Sequence, residues 1–163
     1  MELRKRWDWR KLFVILYCLV FATYMIVGLT GAEAAEFDVE TGLYLPSIGL
    51  MANVTEMELK DRRLNTPDTI VGSFSENKNK TLLVGHSSTI FRNLNNIAVG
   101  DKLTYRGRLY RVTSTEVREK KDVNMAKILK AEKIDTLILM TCAGQDLGGG
   151  DASHRLIVEA VQD

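Results

Sequence analysis

The longest uncharged stretch of the chain limits what the remainder can fold into. Residues 12–32 contain no Asp, Glu, Lys or Arg over 21 positions, and an α-helix needs about 20 apolar residues to cross a bilayer. Residues 1–11 carry five Lys or Arg against two acidic residues, a bias that predicts a cytoplasmic amino terminus. We therefore expect a cytoplasmic tail at 1–11, a single-pass transmembrane signal-anchor at 12–32 and an extracytoplasmic remainder held at the cell membrane.

A cleaved signal peptide is the alternative interpretation of the same segment. Ala32-Glu33-Ala34 has the pattern of a cleavage site. The apolar run is nevertheless longer than the roughly 7–15 residues usual in such peptides, which favours the anchor. Both interpretations export the rest of the chain.

The exported part divides into an acidic spacer at 33–42 and one domain at 43–163. The full chain has a net charge of +1, so it has no overall basic field for nucleic acid. Its cysteines, Cys18 and Cys142, are too few for a disulfide scaffold or a cysteine-rich zinc site, and it has only two histidines. We expect no nucleic-acid partner, no metal and no cofactor.

Short strands dominate the pattern of the exported domain. Apolar or alternating runs predict strands at 49–54, 81–84, 102–105, 108–115, 135–141 and 156–161, with short helices at 88–94 and 124–133. Residues 102–115 read as a hairpin that turns at Arg106-Gly107. Many short strands with few helices indicate a mostly β barrel or sandwich.

Three chemically capable side chains lie where apolar strands meet loops. Cys142 follows the run DTLILMT, His86 follows TLLVG, and Arg155 begins the last strand in RLIV. A histidine beside a cysteine exchanges protons and favours the thiolate, and an arginine donates to a developing oxyanion. Taken singly, each has a plain alternative: a buried cysteine, a strand-capping histidine and a solvated arginine.

Other polar residues near these three are weaker candidates. His154 adjoins Arg155, so in a strand the two side chains point to opposite faces and His154 is expected at the surface. Asp146 and Asp151 lie in the glycine-rich stretch after Cys142, where solvated acids are the simplest interpretation. Residues 118–122 read as a solvated turn.

Three motifs in order resemble the sortases, the membrane-anchored cysteine transpeptidases of bacterial surfaces. LLVGHSSTIFRNLNNIAVGDKLTYRGRLYRV resembles the stretch around the family's histidine. DTLILMTCAG resembles its T-L-x-T-C motif, with Ile138 in place of the first threonine, and RLIVEA resembles the strand that starts with its arginine.

The resemblance implies a fold, an activity and three residue roles. The fold would be an eight-stranded β-barrel with short helices. Cys142 would be the nucleophile, His86 the general acid/base, and Arg155 the residue that stabilises the oxyanion or positions substrate. The partners would be surface proteins with a sorting signal like Leu-Pro-x-Thr-Gly, the bacterial membrane, and an amine acceptor from a cell-wall precursor or a pilin lysine.

Two other functions stay open at this point. A hydrolytic cysteine peptidase would use the same three residues, with water in place of the amine. A membrane-tethered β-barrel that binds without chemistry would need none of them, and Cys142 would then be a buried, unreactive residue.

Overall fold

The computed structural model describes residues 38–58, 69–148 and 151–163. The expected cytoplasmic tail, the transmembrane segment and residues 33–37 of the spacer lie outside these ranges. Within the described ranges, no helix has the length and apolarity needed to cross a bilayer.

The described residues form one sheet with very little helix. The strands are β1 (Leu43–Leu45), β2 (Leu50–Ala52), β3 (Val54–Glu56), β4 (Val71–Asn77), β5 (Lys80–Val84), β6 (Lys102–Tyr105), β7 (Arg108–Glu119), β8 (Thr136–Gly148) and β9 (Asp151–Gln162). The helical elements are α1 (Met125–Ile128) and the 3-10 turns Pro46–Ile48, Leu94–Asn96 and Lys120–Asp122. Across the sheet the strand order is β2-β1-β6-β7-β9-β8-β5-β4-β3.

The two edge strands are consecutive in the chain, and this closes the sheet. Only Asn53 separates β2 from β3. β2 pairs antiparallel with β1 at one edge, whereas β3 pairs parallel with β4 at the other. One short segment thus joins both edges into a nearly closed barrel. The expected eight strands are corrected to nine, because the strand predicted at 49–54 changes partner at Asn53.

Alternate residues of β8 enter two different apolar clusters. Leu137 and Leu139 are fully buried in the main core. Ile138, on the opposite face, packs in a second cluster with Leu82 of β5 and Ile128 of α1. Because both faces are covered, β8 reads as a continuous apolar run rather than an alternating one.

The predicted hairpin is confirmed and its turn has a clear local cause. β6 pairs antiparallel with β7, with Tyr105 opposite Arg108. The two turn residues, Arg106 and Gly107, have φ values of 50° and 71°, which is the left-handed pair of a type I′ turn. β7 continues past the predicted end at 115 because it pairs with β9 as far as Glu119.

The predicted helices are shorter than their patterns indicate. The prediction at 124–133 is reduced to α1, where the Asn124 side chain accepts a hydrogen bond from the Lys127 backbone N–H at 3.2 Å. Residues 130–134 are exposed, so no apolar packing stabilises a helix beyond Leu129, and a short helix without such packing is unstable. The segment predicted as a helix at 88–94 consists of turns that lead into Leu94–Asn96.

Candidate active site

Cys142 lies directly opposite Arg155 in the β8–β9 ladder. Residues opposite each other in an antiparallel pair project from the same face, with Cβ atoms about 4.5–5.5 Å apart. Cys142 is partly exposed, which leaves the thiol within reach of a substrate. The two residues predicted from separate motifs, 13 positions apart in the chain, are therefore neighbours in space.

The strand context of this pair differs from the sequence prediction. Cys142 was expected to follow its strand and Arg155 to begin the next one. Instead β8 continues to Gly148 and β9 starts at Asp151, because the two strands go on pairing with each other as far as Gly148 and Asp151. The register is regular up to Ala143 and then shifts before Asp146, so Cys142 lies near the last regular pairs.

His86 approaches the same position from the other side of β8. β5 runs parallel to β8, with Val84 opposite Met140, and the Gly85 N–H donates to the Met140 carbonyl at 3.4 Å. His86 and Cys142 each follow that pair by two residues. Neighbouring strands lie about 4.8 Å apart, so the register continued past the end of β5 puts His86 next to Cys142, which pairs with Arg155 within β8 and β9. The three positions form one row.

The backbone around His86 is fixed by contacts on both sides. The His86 carbonyl accepts hydrogen bonds from the N–H groups of Thr89 at 3.3 Å and Phe91 at 3.0 Å. A Cβ at Gly85 would lie 2.6 Å from Ile90 and 2.8 Å from Phe91, so the close approach of this turn requires glycine. The Thr141 hydroxyl donates to the Gly85 carbonyl at 2.7 Å, which ties the residue before His86 to the residue before Cys142.

The Arg155 guanidinium is held by three hydrogen bonds. One terminal nitrogen donates to the carbonyls of Ala152 and His154 at 2.9 and 2.8 Å, and the other donates to the Asp151 carboxylate at 2.8 Å. Asp151 also forms an ion pair with Lys120. The Lys120 ammonium and then the Arg155 guanidinium hold the pKa of the Asp151 carboxyl well below its usual range.

The second histidine does not join this row. His154 is opposite Ala143, and as a neighbour of Arg155 it projects from the other face of β9. Its Nδ1 shares a hydrogen bond of 2.8 Å with the Ser153 hydroxyl. Asp146 accepts a hydrogen bond from the Gly148 N–H at 2.8 Å, which is a local turn contact.

An apolar surface adjoins Cys142 on its own face of the sheet. The preceding pair on this face of the ladder is Met140 and Ile157. Ile157 belongs to the second apolar cluster, and Met140, Val123 and Met125 are partly buried against it. A thiol, an arginine and a histidine beside such a surface can bind an apolar peptide segment and carry out acyl transfer at its carbonyl.

A family model described as Sortase domain matches residues 43–163. The chain belongs to the sortase family. Sortases are cysteine transpeptidases, and this sortase is therefore an enzyme of that class.

Solved structures with the same fold are sortases of several classes. A lid mutant of sortase A from Corynebacterium diphtheriae is 22% identical, with a TM-score of 0.57 over 80% of this chain and 73% of that chain. Sortase C from Clostridium perfringens SM101 is 17% identical, with a TM-score of 0.56 over 75% and 68%. A Clostridium perfringens sortase D5 transpeptidase is 18% identical, with a TM-score of 0.57 over 75% and 77%. A search of the curated proteins gives no match.

The sequence interpretation missed two residues linked to Arg155, one directly and one through a shared carboxylate. Asp151 was interpreted as a solvated loop acid and Lys120 as part of a solvated turn. Asp151 pairs with both Arg155 and Lys120, because β7 and β8 flank β9 and bring residues 31 positions apart together. No local pattern marks this contact, since it depends on the register of β7 against β9.

Proposed function

We propose that this sortase cleaves an LPxTG-like sorting signal through a thioester on Cys142 and transfers the acyl group to an amine. The observation that supports the proposal is the cross-strand pair of Cys142 and Arg155. On the other side of Cys142, β5 pairs with β8 up to Val84 and Met140, two residues before His86 and Cys142. The peptide segment before the scissile bond binds along the apolar surface next to Met140.

Acylation forms one bond and breaks one bond. The Cys142 thiolate attacks the carbonyl carbon of the Thr–Gly bond, and Arg155 donates to the oxyanion that develops. His86, as general acid, gives a proton to the departing amine when the C–N bond breaks. The glycine-side segment leaves, and the threonine-side segment remains as a thioester.

Transfer reverses these roles. A primary amine from a cell-wall precursor or a pilin lysine attacks the thioester carbonyl, and His86 takes the proton that the amine loses. The C–S bond breaks, which restores the Cys142 thiolate and releases an amide. Water at the same step would give hydrolysis, so the acceptor decides between the transpeptidase and the peptidase.

The segment at 12–32 supports a location at the cell membrane. A single-pass anchor with a cytoplasmic amino terminus would hold the catalytic domain on the extracytoplasmic face. There it would meet membrane-bound surface proteins with a sorting signal and lipid-linked acceptors. Confinement to one surface raises the effective concentration of all three components.

The test is the intact mass of the full-length chain after incubation with a pool of sorting-signal peptides. The expected adduct has the mass of one peptide less the segment after the scissile bond, and it forms in Cys18→Ala but not in Cys142→Ala. Addition of a glycine or lysine amine should release a peptide–amine product. A chain that forms no adduct with any peptide, and whose Cys142 resists alkylation at neutral pH, would contradict the proposal.

The chain offers matched controls for the other two residues. His86→Ala should lower the acylation rate by about 10²-fold or more, whereas His154→Ala, on the opposite face, should not. Arg155→Ala should lower it by about 10²-fold. Arg118 lies opposite Arg155 on β7, one strand farther from Cys142. Arg118→Ala therefore tests whether the loss in acylation rate is specific to Arg155 or follows the removal of any cation in the row. Equal effects of both histidine variants would reject the role of His86.

A further inference from the structure

A chain of two ion pairs starts at Arg155, the cross-strand partner of Cys142. The Arg155 guanidinium contacts the Asp151 carboxylate at 2.8 Å, and the second oxygen of that carboxylate contacts the Lys120 ammonium. Asp151 also accepts the Ala152 backbone N–H at 2.9 Å. The carboxylate is therefore fixed to its own strand and to two cations.

The hydrogen bonds of Arg155 fix the plane of its guanidinium. A guanidinium has five N–H donors in a rigid fork, and the contacts with Ala152, His154 and Asp151 engage three of them. The side chain of Arg155 is only 17% exposed. The plane of the group, and hence the direction of its other donors, is set by these contacts.

Asp151 also balances a concentration of positive charge. Arg118 is the β7 partner of Arg155 in the ladder, and Lys120 follows it on the adjoining 3-10 turn. Arg118 has its own carboxylate partner, Glu116, at 2.8 Å. Without Asp151, Arg155 would lie among like charges that push the guanidinium away from its present position.

We propose that Asp151 is a positioning residue for Arg155, and that Lys120 holds the Asp151 carboxylate in place. The inference rests on the proposed function, in which Arg155 donates to the oxyanion. Asp151 acts through Arg155 and contacts no reacting atom, so its loss lowers the rate of acylation and leaves the KM for the peptide nearly unchanged.

The first experiment measures acylation of full-length variants by a sorting-signal peptide. Asp151→Ala should lower kcat for acylation about 10-fold with KM within about twofold, and Asp151→Asn, which keeps one acceptor, should lower it less. Lys120→Met should give a smaller loss of about threefold. The matched control is Lys121→Met, since Lys121 adjoins Lys120 and pairs with Glu119 at 2.8 Å but has no link to Arg155. Equal losses in the two lysine variants would overturn the role of Lys120.

The second experiment is a double-mutant cycle in single turnover with excess enzyme. Asp151→Ala should have no further effect in the Arg155→Ala background, because its effect passes through Arg155. The same tenfold loss in both backgrounds would overturn the proposal, since Asp151 would then act on the fold or on another group.

The third experiment needs no substrate. The signals of the Arg155 terminal N–H groups, which donate to Ala152, His154 and Asp151, are assigned in a 15N-correlated NMR spectrum with Arg155→Lys. They should broaden or move to the solvent-exposed region in Asp151→Ala and stay unchanged in Lys121→Met. An unchanged signal in Asp151→Ala would overturn the positioning role. A wild-type chain that never forms the acyl adduct would instead contradict the proposed function, so the two failures are distinguishable.

Discussion

The Thr141 hydroxyl links β8, next to Cys142, to the residue that precedes His86 at the end of β5, and its removal tests whether this link matters. The hydroxyl donates to the Gly85 carbonyl at 2.7 Å, and Thr141 is only 5% exposed. Thr141→Val keeps the shape of the side chain but leaves the carbonyl without this donor. The expected loss in the free energy of unfolding is about 1–3 kcal/mol. Thr141→Ser keeps the hydrogen bond and removes one buried methyl group, at a cost of about 1 kcal/mol.

The two variants should differ more in acylation rate than in stability. In Thr141→Val the end of β5 is free to shift relative to β8, and a misplacement of about 1 Å between catalytic groups costs up to about 10²-fold in rate. We therefore expect a loss of about 10- to 100-fold for valine and less than about threefold for serine. Urea denaturation gives the stability, and the intact-mass assay gives the acylation rate.

Thr136 provides the matched control on the same strand. It is 2% exposed, and its hydroxyl donates to the Ile134 carbonyl at 2.9 Å. It is the first residue of β8, whereas Cys142 lies in the middle of the strand. Thr136→Val should lose about as much stability, about 1–3 kcal/mol, and keep the wild-type acylation rate. If Thr141→Val were equally destabilised and acylated the peptide as fast as Thr136→Val, the hydroxyl would have no part in aligning the site.

Four further variants test other parts of the fold. Gly85→Ala would place a methyl group 2.6 Å from Ile90; it should cost about 1–3 kcal/mol of stability by overpacking and reduce the acylation rate by moving His86. Burial, with a nearby carboxylate, raises the pKa of Tyr110 to about 12, so the unfolded chain loses this proton at lower pH and stability should fall as pH rises from about 10 to 12. Tyr110→Phe should make this decline smaller in alkaline denaturation, and burial of Tyr105, which also raises its pKa, accounts for a remaining part. Leu139→Ala should cost about 2–5 kcal/mol because the side chain is fully buried. Leu147→Ala should cost less than about 0.5 kcal/mol because Leu147 is 59% exposed, and urea unfolding compares the two.

The sequence predictions were accurate where a feature depends on residues close together in the chain, and less accurate where it depends on tertiary contacts. The β6–β7 hairpin depends on alternating residues and on a two-residue turn, all within 102–115, and it formed as predicted. The apolar run before Cys142 and the short run before His86 are strands β8 and β5. The helix at 124–133 failed because its pattern was local, whereas its stability depends on contact with the second apolar cluster.

At the active site, too, local sequence patterns and tertiary contacts account for different conclusions. The sequence alone singled out Cys142, His86 and Arg155 and contained the motifs that match the sortase family. Its placement of Cys142 and Arg155 at strand borders was wrong, since both lie within strands. It also predicted that His154 would face away from Arg155, because adjacent strand residues alternate. Each of these conclusions needs only neighbours in the chain.

Only the tertiary structure decided which of these residues are neighbours in space. The strand order β7-β9-β8-β5 puts Cys142 opposite Arg155 and aligns His86 with Cys142, and the register of β7 against β9 brings Lys120 to Asp151. The ladder hydrogen bonds between strands are the same for any side chain. Register is therefore set by how the apolar faces pack across the whole barrel, and no single segment of the sequence carries that information.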